Sequence, residues 1–207
     1  MINVAEIQVG TRSLGPGWRT VIWVQGCPFH CPGCYSPDWI PDKPAQFYTP
    51  EDLFSKAISD HRIEGITISG GEPFNQSQEL EKFLHIVRER TSLNVICFSG
   101  FTFRQLIQHP SKSVHAMLHL IDVLIDGAYI REKSTDLGLR GSTNQKIYHL
   151  TPALIHHDFI SAPRVNEIHI SNNKILAVGI PTSGIESFMI GEPPWLIQSE
   201  VRNHERT

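Results

Sequence analysis

"GITISGGEP", residues 65–73, is the stretch from which the fold is read most directly. A short apolar run, rich in the β-branched residues Ile66, Thr67 and Ile68, stops at two glycines and a proline. That pattern predicts a buried strand ending in a tight turn. Leu80, Phe83, Leu84 and Val87 then recur at helical spacing, so a helix is expected over 76–90. The same alternation extends in both directions. "TVIWVQG" (20–26) predicts an earlier strand, and "TPEDLFSKAISDHR" (49–62) a helix capped by Thr49 with Pro50 in its first turn. "NVICFSG" (94–100) predicts a third strand, followed by one or two helices at 102–108 and 113–121. "DVLIDG" (122–127) reads as a strand, and "KIYHL" (146–150) suits another. Strand–helix alternation implies a parallel sheet covered by helices. A complete eight-fold barrel takes about 250 residues. Here the alternation ends near residue 150, which fits a partial, open barrel better. In either form the chemistry belongs at the carboxyl ends of the strands.

The composition narrows the class. Of 207 residues, 40% are hydrophobic and 19% charged, enough to bury a core. The net charge is −3 and the basic residues are scattered, so no nucleic-acid surface is expected. Arg88 and Arg90 read as solvated helix positions. The N-terminus lacks a basic start followed by an apolar run, and no stretch reaches the length of a membrane-spanning helix. A cytoplasmic location is therefore expected, where thiols stay reduced and clustered cysteines serve metals or catalysis.

"GCPFHCPGCYSPDW" (26–39) follows the first of the parallel strands and holds three of the four cysteines, Cys27, Cys31 and Cys34. Pro28 and Pro32 oppose helix, and Gly33 permits unusual dihedrals. Such a loop can wrap a compact object and present one sulfur at each of three corners. A 4Fe-4S cluster is normally held by four cysteines, so three would leave one iron open. A zinc site using Cys31, Cys34 and two other ligands competes, but no second ligand pair is visible. A redox pair of Cys31 and Cys34 leaves Cys27 unexplained. Cys97 lies within a strand pattern and reads as a small buried residue. His156, His157 and His169 show no ligand spacing. "SGGEP" (69–73) follows the next strand. Its glycines expose backbone groups for close approach by a ligand, and Glu72 offers a carboxylate suited to an ammonium group.

Taken together, "CPFHCPGC" and "SGGEP" resemble the cluster and amino-group motifs of the radical S-adenosylmethionine (SAM) superfamily. The resemblance implies a 4Fe-4S cluster held by Cys27, Cys31 and Cys34, with the amino and carboxylate groups of SAM on the fourth iron. It implies reductive cleavage of SAM to a 5′-deoxyadenosyl radical that takes a hydrogen atom from the substrate. Within the superfamily the chain is most similar to the activating proteins of anaerobic ribonucleotide reductase. "GPGWR" (15–19), "DVLIDGAYI" (122–130) and "LRGSTNQKIYHL" (139–150) resemble further blocks of that family. Its members install a glycyl radical on a partner enzyme, with a flavodoxin or ferredoxin as the implied electron donor. By resemblance, Gly33 and Tyr35 contact SAM, Gly70, Gly71 and Glu72 form its amino-acid site, and Asp126 and Arg140 hold SAM or the substrate backbone. Asp126 also reads as a turn residue, and Arg140 as half of a surface ion pair. Trp18 stands where the family usually has Thr, which would reshape the entrance to the loop.

By the family pattern the chain should stop soon after Leu150. It continues instead through "RVNEIHISNNKILAVGIP" (164–181), which reads as a β-hairpin turning at Asn172-Asn173. The expected organisation is a core of the radical SAM type at 1–155, a C-terminal hairpin extension at 156–191 and a flexible tail at 192–207. Two alternatives stand beside the activase reading. One is a radical SAM enzyme acting directly on a small molecule or peptide, with the hairpin as its substrate element. The other is a zinc-stabilised, non-enzymatic interaction module.

Overall fold

Strand β1 (Ile2–Thr11) opens the chain and pairs antiparallel with β2 (Arg19–Val24) in the computed structural model, which describes residues 1–171 and 174–182. After the cysteine loop come β3 (Gln46–Tyr48), α1 (Pro50–Ala57), β4 (Gly65–Gly70) and α2 (Ser77–Arg90). They are followed by β5 (Asn94–Ser99), α3 (Phe103–Ile107), α4 (Lys112–His119), β6 (Val123–Asp126) and β7 (Lys146–His149). These strands form one mixed sheet in the order β3–β1–β2–β4–β5–β6–β7. Its centre is parallel, from β2 through β4 and β5 to β6.

The helices form for the expected local reasons. The Thr49 side chain accepts from the Asp52 N–H, with Pro50 in the first turn and acidic Glu51 and Asp52 at the positive end. The helix stops at Ala57, short of residue 62. In α2, Leu80, Phe83, Leu84 and Val87 are buried on one face. The wholly parallel sheet expected from alternation is corrected at its edges. β7 runs antiparallel to β6 because residues 127–145 contain a single 3-10 turn and no helix. With no helical crossover, the chain returns from the end it left.

Helices α1, α2 and α4 cover one face of the sheet, burying Ile22, Val24, Ile66, Ile68, Val95 and Leu124. Cys97 is fully buried on that helical side, as a core residue. The opposite face carries Val21, Trp23, Ile96, Val123 and Ile125. It is covered by Leu14 and by Phe159, Val178 and Ile180 from the C-terminal part. That part contains an antiparallel hairpin of β8 (Glu167–Ser171) and β9 (Lys174–Val178), with Ile168 opposite Ala177 and Ile170 opposite Ile175. The hairpin is the one expected; its Asn172-Asn173 turn and the tail at 192–207 lie outside the described residues.

Two buried charged side chains tie the parallel strands together, one at each end. At the amino ends, fully buried Arg19 donates to Thr67 Oγ1 at 2.8 Å, Asn94 Oδ1 at 2.5 Å, and the carbonyls of Pro16 at 3.0 Å and Ile66 at 2.7 Å. Burial lowers its pKa to about 9. At the carboxyl ends, fully buried Glu72 accepts from the Phe74 N–H at 3.0 Å, the Ser99 hydroxyl at 3.0 Å and the Gly100 N–H at 2.7 Å. Loss of solvation outweighs these donors and raises its pKa to about 7.

Two expectations about surface residues are corrected. Arg88 is not a solvated position. Its guanidinium bonds the carbonyls of Leu93 and Leu120 and pairs with buried Asp122 at 2.8 Å, fastening α2 to the loop before β6. Arg90 does stay exposed, paired with Glu51. Trp18 lies beside Glu64 at the amino end of β4, its indole N–H donating to Asp60 and its ring flanked by Arg12 and Arg62. It therefore sits at the end of the sheet opposite the cysteine loop and does not shape its entrance.

Arg19→Ala should cost roughly 3 kcal/mol or more, because it strands buried acceptors that no water reaches. Arg19→Lys should recover only part of this, since one ammonium cannot serve a planar set of partners. Urea denaturation of both variants checks the ranking. Glu72 makes stability depend on pH. Its ordinary pKa of 4.5 rises to about 7 on folding, so the folded protein holds the proton more tightly than the unfolded chain. The resulting stabilisation is complete below the unfolded value and lost as pH rises through the folded one. Glu72→Gln removes this titration. Wild-type stability relative to that variant should fall by on the order of 3 kcal/mol from about pH 5 to about pH 8. A pH-independent difference between the two proteins would refute it.

Candidate functional site

Beyond Val24 the chain leaves the carboxyl edge of the sheet, and a set of backbone bonds closes the cysteine loop on itself. The Gly26 N–H donates to Trp39 O at 2.8 Å and the Cys27 N–H to Ile40 O at 2.9 Å. The Gln25 amide reaches Asp38 O at 3.2 Å and Pro41 O at 2.7 Å. Within the loop His30 adopts φ 46°, a left-handed conformation that histidine tolerates better than most residues. The Cys34 N–H donates to Cys31 O at 3.1 Å, closing a tight turn around Gly33. Gly33 has φ 72°, and a Cβ there would stand 2.8 Å from Arg131 Cδ.

"SGGEP" is fastened directly to the start of this loop. The Gly71 N–H donates to Val24 O at 2.7 Å and the Glu72 N–H to Gly26 O at 2.8 Å. A Cβ on Gly71 would stand 2.2 Å from Gly26 O, so only glycine allows this approach. The two motifs thus meet because β2 and β4 are adjacent parallel strands whose following loops emerge at one level.

Cys27, Cys31 and Cys34 line one cavity of about 170 Å³. Leu14, Trp23, Phe98 and Ile180 supply apolar wall, and Ser69, Gly70, Gly71, Ser99 and Gly100 line it from the ends of β4 and β5. Burial pushes the Cys27 and Cys34 thiols above their ordinary pKa, although the Ser36 N–H donates to Cys34 Sγ at 3.4 Å. A bound metal cation reverses that preference, because it stabilises thiolate directly. Cys27, Cys31 and Cys34 stand around one cavity, where an iron–sulfur cluster would offer each thiol its own metal atom. The residues present fit an iron–sulfur cluster with three protein ligands.

The other expected residues divide into those facing the cavity and those behind it. Gly70, Gly71 and Tyr35 line it; Gly33 is exposed and not among the lining residues, with Arg131 beside it. The Tyr35 hydroxyl accepts from the Tyr129 hydroxyl at 3.1 Å and shares a hydrogen bond with Ser134 at 3.0 Å. Glu72, Asp126 and Arg140 are not among the lining residues. The expectation that the Glu72 carboxylate faces a ligand's ammonium group meets a different geometry, since its oxygens are engaged by Phe74, Ser99 and Gly100. Buried Asp126 accepts from the N–H groups of Phe103 at 2.5 Å and Lys146 at 3.1 Å, joining the starts of α3 and β7. Arg140 donates from Nη1 to the carbonyls of Thr143 and Gln145, each at 3.2 Å, and its buried Nε finds no partner among the described residues.

Among the lining residues not singled out from sequence, three make specific contacts. Tyr129 packs against Tyr35, with ring centroids 4.9 Å apart and the ring planes tilted by 46°. Buried Gln145 accepts from the Gly141 and Ser142 N–H groups and donates to Gly127 O at 2.7 Å, shaping the loop beside Tyr129. Phe29 covers Gly100 and packs edge-on against Phe101. Tyr129 and Gln145 stand in blocks already quoted, but nothing in their spacing separates them from ordinary loop residues.

Comparison with known proteins places the chain in a family. A family model described as a 4Fe-4S single cluster domain matches residues 13–148. The anaerobic ribonucleoside-triphosphate reductase-activating protein of Vibrio cholerae is 35% identical over 146 residues, covering 66% of this chain and 91% of that protein. The protein of the same name from Enterobacteria phage T4 is 30% identical over 149 residues, covering 70% and 92%. The one from Escherichia coli is 31% identical over 144 residues, covering 66% and 91%. The chain belongs to the 4Fe-4S single-cluster family of anaerobic ribonucleoside-triphosphate reductase-activating proteins.

Proposed function

We propose that this protein is a radical SAM activase that generates a glycyl radical on anaerobic ribonucleoside-triphosphate reductase. The observation that carries the reading is the meeting of three thiols and the Gly70–Gly71 backbone in one cavity at the carboxyl ends of β2 and β4. Cys27, Cys31 and Cys34 would hold the 4Fe-4S cluster, and a three-thiolate set would leave it open to SAM. When bound, cluster and SAM supply the radical chemistry, a one-electron reductive cleavage followed by removal of a hydrogen atom from a glycine of the partner.

The chain's own residues bind, orient and exclude water. Gly70 and Gly71 offer backbone groups to the amino-acid end of SAM, and Gly33 lets the loop turn so that Tyr35 reaches the cavity. Tyr35, hydrogen-bonded to Tyr129 and Ser134, is held in a fixed position beside the ligand. Leu14, Trp23 and Phe98 keep that side of the cavity apolar. Glu72 acts from behind the wall, fixing the level of the "SGGEP" turn. Asp126 and Arg140 likewise hold the loops on which Gly127, Tyr129 and Gly141 reach the cavity. We read the sheet as the open, partial barrel of the radical SAM type, with residues 1–155 as its core and 156–191 as an extension. A cytoplasmic setting, with a flavodoxin or ferredoxin as electron donor, suits the chemistry. No helix among the described residues is long and apolar enough to cross a membrane.

Alanine replacement of Cys27, Cys31 or Cys34 should each abolish the brown chromophore and most bound iron after anaerobic reconstitution, whereas Cys97→Ser should retain both. Stoichiometric zinc in the wild type would refute the cluster. With reductant, SAM and the reductase present, electron paramagnetic resonance should detect a glycyl radical that none of the three alanine variants produces. Deoxyadenosine formation without that signal would instead favour a small-molecule or peptide substrate.

A further inference from the structure

The family match ends at residue 148, yet the cavity beside the thiols is completed by residues far beyond it. From Thr151 the chain crosses the face of the sheet opposite the helices and buries Phe159 against Ile96, Val123 and Ile125. It is fastened to the loop after β6, where Leu139 N–H donates to Phe159 O and Gly138 N–H to Ala162 O, each at 2.8 Å. Arg164 then gathers three backbone carbonyls. It donates to Gly138 O at 3.0 Å and Arg140 O at 2.6 Å, both on the core loop, and to Pro181 O at 2.9 Å, just past the return strand of the hairpin. A second tether runs from the Arg12 N–H to the Glu167 carboxylate at 2.8 Å.

These bonds fix where the chain goes after β9. Gly179 takes φ +135°, and a Cβ there would stand 2.4 Å from Asn166 Oδ1 and 2.8 Å from Val165 O. That turn, open only to glycine, directs Ile180 inward, where it is 8% exposed and packs with Leu14, Val21 and Trp23. Gly179 and Ile180 line the cavity that holds Cys27, Cys31 and Cys34.

We propose that the extension is a working part of the site: Gly179–Ile180 forms one wall of the thiol cavity, and Arg164 is the positioning residue that holds this wall in place. The wall limits access of water and oxygen to the thiols and bounds the room left for the cosubstrate. Its meaning for catalysis rests on the radical SAM reading; its effect on thiol access does not.

The test uses the full chain carrying Cys97→Ser, so that only the three loop thiols report. In the metal-free protein, Arg164→Ala and Ile180→Ala should each speed reaction of these thiols with a bulky aromatic disulfide reagent by on the order of tenfold, as local opening becomes easier. Arg164→Lys should stay close to Arg164→Ala, because a lysine cannot span three carbonyls held in a guanidinium plane. In the reconstituted protein the same variants should bleach several-fold faster in oxygen and raise the KM for SAM more than they lower kcat. Should Arg164→Ala fail to fold, Ile180→Ala, which leaves every tether in place, still reads the wall. Thiol and bleaching rates equal to wild type in a folded Ile180→Ala variant would overturn the proposal. A wild type that takes up no iron would overturn the radical SAM reading, while the thiol measurement would still decide whether the wall exists.

Discussion

A carboxylate sealed from water sets the geometry of the whole catalytic end. Glu72 follows β4, its backbone N–H bonds the residue before Cys27, and its side chain bonds the turn after β5. The loops after three adjacent parallel strands therefore share one reference point. Burying a charge without a counter-ion is costly, and the pKa of about 7 records that cost. Three donors that would themselves lack partners are satisfied in return, so carboxylate and turns stabilise each other.

Arg19 does the corresponding work at the amino end, where its partners are a hydroxyl, an amide and carbonyls rather than carboxylates. The parallel strands are thus pinned at both ends by groups whose hydrogen bonds are directional. Between these pins lies an ordinary apolar core, which fixes the distance between layers but is indifferent to small slips along a strand. The separation of tasks has a functional consequence. The thiols at the carboxyl ends can remain partly open to a ligand, because none of the hydrogen bonds that pin the strands runs through them. The extension adds a further constraint from the opposite face, and Arg164 fastens it through three backbone carbonyls.

Much of this was legible in the residues. Alternating strands and helices, the cap at Thr49, the apolar stripe of α2 and the buried place of Cys97 follow from periodicity and local hydrogen bonding, which act over a few residues. The pairing of "CPFHCPGC" with "SGGEP" was legible because each follows a strand directly. What escaped were partners distant along the chain. Arg88 looks like any solvated helix arginine until Leu120 and Asp122 are brought to it. Trp18 looks like a change to the cysteine loop until β2 carries it to the other end of the sheet. Glu72 looks like a ligand group until Ser99 and Gly100 claim its oxygens.

The chain's own pattern was enough to establish an α/β sheet and a three-thiol loop, while the chemistry of that loop was implied by the resemblance that it and "SGGEP" together bear to a known family. Local propensity, strand spacing and donor type carry the first two, and none of them needs a distant partner. Which side chains face the cavity was set by the assembled fold. Strand order, the antiparallel return of β7 and the path of residues 151–180 depend on long-range packing, where many weak contacts compete and no single motif records the outcome. Glu72, Asp126 and Arg140 stand behind the wall, and Tyr129, Gln145 and Ile180 stand in it, for that reason.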